Sequence, residues 1–177
     1  MTNATILETE RLSLRPVCEQ DLGYLCSLYG NAEVMRYLDK GVLNEADCRD
    51  KLTQYMQFWQ DNGFGRWLAF AKDTGEFAGR AGFGRLSDTK EVHLGFVLLP
   101  QFWGKGLATE IARFCLDFGF NTIREEHLLS AARATNKASR AVIEKIGMHK
   151  QREAEFFGHT AVIYTLSAKE YFEKQAR

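Results

Sequence analysis

Between Thr9 and Val17, apolar Leu12 and Leu14 alternate with Arg11, Ser13 and Arg15, the period-two pattern of a strand. The period then changes. From Asp21 to Tyr29, the residues Leu22, Leu25, Cys26 and Tyr29 recur at helical spacing. A second helix is predicted to end near Asn62-Gly63. Asn44 can cap it, Asp47 stands three residues on, and Cys48, Leu52, Tyr55, Met56 and Trp59 form one apolar face. Strand patterns follow at Arg66–Ala71, Phe77–Arg85 and Val92–Leu99; short turns rich in Gly and Asp separate them, which predicts an antiparallel meander. A helix from about Gly104 to Phe120 puts Leu107, Ile111, Phe114, Cys115 and Phe118 toward a core. Next come a strand at Leu128–Ala134, a helix at Lys137–Ile146 stopped by Gly147, and two final strands, the last at Ala161–Leu166. A short amphipathic helix closes the chain.

The helix before Leu128 joins two strands by a crossover, which implies one parallel pair inside a mostly antiparallel sheet. The fold class is therefore α/β, with ligands expected beyond the carboxyl end of the strand at that irregularity. The 177 residues fit one domain, spanning 1–177. Lys+Arg and Asp+Glu are equal at 23 each, so bulk charge gives no attraction to nucleic acid or an anionic membrane. Arg133, Lys137 and Arg140 are the nearest thing to a basic patch. Cys18, Cys26, Cys48 and Cys115 form no CxxC pair and no metal spacing; Cys26, Cys48 and Cys115 fall on apolar stripes, which suits reduced thiols in the cytoplasm and predicts no metal. No signal peptide and no membrane span are predicted.

The chemistry concentrates at Val97-Leu98-Leu99-Pro100-Gln101-Phe102-Trp103-Gly104-Lys105-Gly106-Leu107-Ala108-Thr109-Glu110. A strand ends, two glycines follow, and an amphipathic helix begins. Glycines let a ligand approach the main chain, and the first N–H groups of a helix attract phosphate oxygens. The run is not a Walker A loop, because Gly-Lys-Gly leads to Leu107 rather than to Ser or Thr. It is not a dinucleotide fingerprint either, since Thr109 stands where the third glycine belongs. A plain Gly-rich turn before a helix remains open on these grounds alone.

Gln101-x-x-Gly104-x-Gly106 resembles the Gln/Arg-x-x-Gly-x-Gly/Ala signature of the GNAT acetyltransferase superfamily, and Pro100–Glu110 resembles its RimJ/RimL-type branch. Further blocks carry the same resemblance: Thr9–Pro16 as the opening strand, Gly75–Gly82 as the third strand, and Asn136-x-x-Ser139-x-x-Val142-Ile143-Glu144-Lys145-Ile146-Gly147-Met148 as the second cofactor-contacting helix. The resemblance implies a central sheet of about seven strands, acetyl-CoA as co-substrate, and transfer to a primary amine. It implies that the CoA pyrophosphate lies on main-chain N–H groups of Trp103, Gly104, Lys105, Gly106, Leu107, Ala108 and Thr109, after Gln101. The pantetheine arm would pair with Phe96, Val97 and Leu98, and Asn136 would bond the cofactor arm, unless it serves as a helix cap.

Amine acetylation needs a base for the ammonium, a donor for the developing oxyanion and a proton for the thiolate. The family resemblance implies that a backbone N–H at the splayed end of Val92–Leu99 is the oxyanion donor. Many relatives carry Glu where His93 stands, which makes His93 the candidate base and Glu91 its reserve. Where some relatives carry a tyrosine acid, this chain has Ile143; Ser139, one turn earlier, is the candidate donor. The substrate wall is expected from Asn31–Asn44, Gly63–Trp67 and Ala154–Thr160, with Glu33, Tyr37, Asp39, Trp67, Glu155, Phe156 and Phe157. The acceptor is expected to be a protein N-terminal α-amine, or else an amino acid, polyamine or antibiotic, with the protein a monomer or homodimer. The reading of another class is a non-catalytic acyl-CoA-binding module.

Overall fold

Eight strands form one sheet in the order β1-β2-β3-β4-β5-β6-β8-β7: β1 (Leu7–Glu8), β2 (Leu12–Pro16), β3 (Arg66–Ala71), β4 (Phe77–Arg85), β5 (Val92–Leu98), β6 (His127–Arg133), β7 (His149–Phe156) and β8 (His159–Ser167). The computed structural model describes residues 6–38, 41–86, 89–156 and 158–176. Every neighbouring pair is antiparallel except β5 with β6. The class is the predicted mixed, mostly antiparallel sheet flanked by helices. The strand beyond the predicted seven is β1, two residues that the alternation is too short to signal.

The helices are α1 (Leu22–Tyr29), α2 (Ala32–Met35), α3 (Glu45–Asn62), α4 (Leu107–Phe118), α5 (Lys137–Lys145) and α6 (Ala168–Gln175). The cap expected for α3 is present as a reciprocal box: the Asp47 N–H donates to Asn44 Oδ1 at 2.9 Å, and the Asn44 N–H donates to Asp47 Oδ2 at 3.2 Å. The short α2 is absent from the sequence reading, although Asn31 caps it by accepting from the Glu33 and Val34 N–H groups. Helix α4 starts later than predicted because Gly104 and Gly106 take φ of 70° and 79°, outside the helical region. It runs on into a π-turn, Gly119–Ile123, ended by Arg124 at φ 64°.

Alternation along the strands sorts side chains to two faces. Under α4, Trp67 (1% exposed) makes edge-on contacts with Phe83, Phe114 and Phe118 at centroid distances of 5.0–5.9 Å. On the opposite face α1 and α3 cover β3 and β4, with Tyr24 against Phe70 and Tyr29 against Arg80. A second, separate apolar cluster of Leu86, Leu129 and Ile163, with Ala131, Ala154 and Phe156 packed on it, lies toward the β7–β8 hairpin.

Candidate active site

Strands β5 and β6 part where the sheet changes from antiparallel to parallel. Their registered pair is His93 with Leu129, and one residue on the Ser130 hydroxyl donates to the Leu94 carbonyl at 3.1 Å. Beyond that point Phe96, Val97 and Leu98 leave their β6-facing edge to a cleft of about 420 Å³. Its walls are Phe96–Leu98, the loop and first turn of α4 (Trp103, Gly104, Gly106, Leu107, Ala108, Thr109), α5 (Asn136, Ala138, Ser139, Val142) and the α2 region (Glu33, Val34, Tyr37, Leu38).

The loop is held from behind. Glu110 accepts from the Thr9 hydroxyl (2.6 Å), the Arg11 N–H (2.8 Å) and Arg11 Nε (2.7 Å), while Arg11 Nη1 donates to the Lys105 carbonyl at 2.8 Å. Burial works to raise the Glu110 pKa, but these hydrogen bonds and the Arg11 charge bring it below the ordinary value. The only acidic residue in the first turn of α4 is thus tied to the turn between β1 and β2. A Cβ at Gly104 would meet nothing within 4 Å, so the main chain there is open to an approaching group. This cradle of positive-φ glycines before an amphipathic helix fits a pyrophosphate, and the open β5 edge fits an extended amide arm.

A family profile described as an acetyltransferase (GNAT) domain matches residues 11–149, which takes in the loop, the cleft and the split. The chain belongs to the GNAT acetyltransferase family. It is 30% identical over 167 residues to an uncharacterized protein, YkkB, of Bacillus subtilis, covering 93% of this chain and 96% of that one. It is 27% identical over 153 residues to the spermidine N(1)-acetyltransferase of Escherichia coli, covering 82% and 78%. Among solved structures it is similar to RimL, described as a ribosomal L7/L12 alpha-N-protein acetyltransferase, with a TM-score of 0.79, 20% identity and coverage of 93% and 94%. The protein is an acetyl-CoA-dependent N-acetyltransferase.

In this acetyltransferase the cleft gathers most of the residues singled out in the sequence: Phe96, Val97, Leu98, Trp103, Gly104, Gly106, Leu107, Ala108, Thr109, Asn136 and Ser139. Gln101 and Lys105 lie outside its lining; the Lys105 ammonium sits 5.7 Å over the Phe102 ring. Asn136 is a cap, its Oδ1 accepting from the Ser139 N–H at 3.1 Å, which leaves its amide nitrogen to donate elsewhere. Ile143 is buried in the core beneath α5. Of the expected substrate wall, Glu33 and Tyr37 line the cleft, Trp67 is core, and Asp39 and Phe157 lie outside the described residues.

Glu91 and His93 are placed differently. Glu91 precedes β5, roughly 20 Å of strand from Val97 at about 3.3 Å per residue, and its carboxylate pairs with His127 at 3.4 Å. The imidazole of His93 lies against Arg66, Nε2 at 3.3 Å from Nη2, while Nδ1 is buried without a hydrogen-bond partner. A guanidinium only donates, so Nε2 accepts and the ring is neutral with its proton on Nδ1. Burial, then the charges of Arg66 and Arg80, push its pKa down to about 3. Such a group is a weak base toward an ammonium near neutral pH.

Around His93 stands a polar cluster that sequence reading missed. Arg66 and Arg80 are both 9% exposed. Arg66 donates to the Gly82 carbonyl at 2.9 Å, and Arg80 Nε donates to the Tyr29 hydroxyl at 2.7 Å, itself 2.6 Å from the Tyr55 hydroxyl. Lys51 Nζ lies 5.1 Å over the Tyr29 ring and 5.8 Å over that of Tyr55. Glycines make the room. A Cβ on Gly84 would stand 3.0 Å from Arg66 Nη2; one on Gly95 would stand 3.0 Å from Arg66 Nη1 and 3.4 Å from Arg80 Nη1. Burial raises the Tyr55 phenol, but Arg80, Lys51 and Arg66 outweigh it and bring the pKa to about 8. The available signal was a lone arginine within each of two apolar strands, Arg66-Trp67-Leu68-Ala69-Phe70-Ala71 and Phe77-Ala78-Gly79-Arg80-Ala81-Gly82.

Proposed function

We propose that this acetyltransferase moves the acetyl group directly to a primary amine, without an acyl-enzyme intermediate, and that the amine is a protein N-terminal α-amine or that of a small molecule. The observation that carries the reading is the split between β5 and β6, which opens one cleft toward the α4 loop and α5 on one side and α2 on the other. Cofactor and amine can then approach the same point from opposite sides. Among the described residues lining the cleft none is a cysteine, so no thiol stands there to take the acyl group.

Main-chain N–H groups of Trp103 to Thr109 hold the pyrophosphate, with Gln101 and Lys105 at the mouth. Phe96, Val97 and Leu98 pair with the pantetheine amides, and the Asn136 amide donates to the same arm. Acetyl-CoA supplies the activated thioester. The acceptor nitrogen, its ammonium proton given up to water, attacks the carbonyl carbon; a β5 backbone N–H bonds the developing oxyanion; the nitrogen gives a second proton to water as the C–S bond breaks, and the Ser139 hydroxyl donates to the departing sulfur and is reprotonated from solvent. His93 positions Arg66 rather than relaying the proton. One domain holds every part of this site. Thermal unfolding with acetyl-CoA, CoA and ATP, each at about a hundred times Kd, tests the reading: both CoA species should add roughly 2.7 kcal/mol and ATP nothing. Stabilisation by ATP alone, or by none of the three, would overturn it.

A further inference from the structure

On the α1/α3 face of the sheet, a polar strip of Arg66, Arg80 and His93 crosses β3, β4 and β5. Register sets Arg66, Gly82 and Gly95 in one row, Arg80 and Val97 in the next, and Gly84 with His93 in the row on the other side. Both guanidiniums converge over Gly95, where no side chain intervenes. Val97, in register with Arg80, lines the cofactor cleft, so this floor, Gly95 and the arginines over it, lies about 7 Å of strand from that cleft residue, next to the β5–β6 split. Its rim is reached from solvent, since Lys51, Tyr55, His93 and Gly95 are half-buried.

The strip is rich in donors and short of acceptors. Arg66 and Arg80 bond two carbonyls, a phenol and an imidazole. Among the described residues no ion pair includes either arginine or Lys51. The groups acting on the two guanidiniums are one another, Tyr29, Tyr55 and Cys115, with no carboxylate. Buried cations without an anion are unfavourable, and paired guanidiniums are the side chains best shaped to receive a carboxylate. A polyamine would meet repulsion here.

We propose that the acceptor is a small molecule carrying a carboxylate within a few bonds of its primary amine, an amino-acid-like compound, and that Arg66 and Arg80 over Gly95 receive that carboxylate. The assignment rests on the acetyl-transfer reading above. It places the amine at the split and the anion on the polar floor, with Lys51 adding positive charge at the rim. Binding of the anion also cancels part of the field on Tyr55, so its phenol titrates at higher pH in the complex.

The test compares the common α-amino acids with their carboxamides, and with spermidine and short peptides, on the CoA-loaded wild-type protein. A carboxylate should give kcat/KM on the order of ten- to a hundredfold above its carboxamide. Arg66→Gln and Arg80→Gln should bring that ratio toward one while CoA still stabilises the protein. Ultraviolet difference absorbance of tyrosinate provides a readout that needs no variant: adding the carboxylate, not the carboxamide, should move the tyrosinate transition upward. Equal kcat/KM for acid and amide, a preference surviving both substitutions, a polyamine or peptide as the better acceptor, or an unmoved transition overturns the assignment and leaves acetyl transfer standing. Failure of CoA to bind would instead remove the reading on which it rests.

Discussion

Glu110→Gln tests whether the cofactor loop is held by a charge or merely by shape. The carboxylate accepts from Thr9 Oγ1, Arg11 N and Arg11 Nε at 2.6–2.8 Å, and its side chain is 14% exposed against 47% for Arg11. Glutamine keeps one acceptor oxygen but loses the charge and turns its second position into a donor facing Arg11. A hydrogen bond to a charged group contributes about 1.5–3 kcal/mol, and the exposure of Arg11 argues for the lower part of that range. A loss of about 2 kcal/mol in a chain of this size lowers Tm by about 4–8 °C. The pH dependence has a definite sign. The Glu110 pKa is depressed in the folded state, so its stabilisation is full above the unfolded value near 4.3 and is lost as pH falls through the folded value. His93, also depressed, destabilises both proteins alike as pH falls below about 6.5, so the difference between variant and wild type isolates Glu110. Paired urea melts from pH 7 down to about 4 should show a constant gap that narrows at the acid end, together with weaker CoA binding by the variant at neutral pH. A variant within a degree of wild type at pH 7, or a gap that widens on acidification, would refute the reasoning.

The isolated protein should show a tyrosinate transition near pH 8 that is missing in Tyr55→Phe, followed by ultraviolet titration; a first transition near pH 10 in wild type would refute the Arg80–Lys51–Arg66 field. Gly106→Ala forces a Cβ onto φ 79°, costing about 1–2 kcal/mol, and should weaken CoA binding more than it lowers Tm, read by calorimetry and melting on one sample. Trp67→Ala empties the aromatic stack under α4 and should cost about 3–5 kcal/mol in urea unfolding; a loss below 1 kcal/mol would mean that Phe83, Phe114 and Phe118 close the gap without it.

Local pattern carried the fold a long way. Alternation in Leu12–Pro16, the apolar runs of Arg66–Ala71 and Val92–Leu98 and the 3.6-residue period in α3 and α4 are properties of contiguous residues, and so are the Asn44–Asp47 box and the Gly104/Gly106 turn. The loop motif lies within one stretch of chain, which is why its walls Trp103–Thr109 and the adjoining Phe96–Leu98 were legible before any coordinates. What the sequence could not carry was anything set by register across strands. His93 and Glu91 lie two residues apart, a spacing that in a strand puts both on one face, yet one meets Arg66 and the other His127, because partners come from β3 and β6. The arginine floor joins Arg66, Arg80, Gly84 and Gly95 from three strands with Tyr29 and Tyr55 from two helices, and no spacing rule links them. The sequence by itself determined most of the elements, the crossover and the glycine turn before α4, since these follow from steric and periodic preferences of neighbouring residues. Only the tertiary structure decided which charges face one another, because burial and strand pairing, not chain order, set the distances over which charges act.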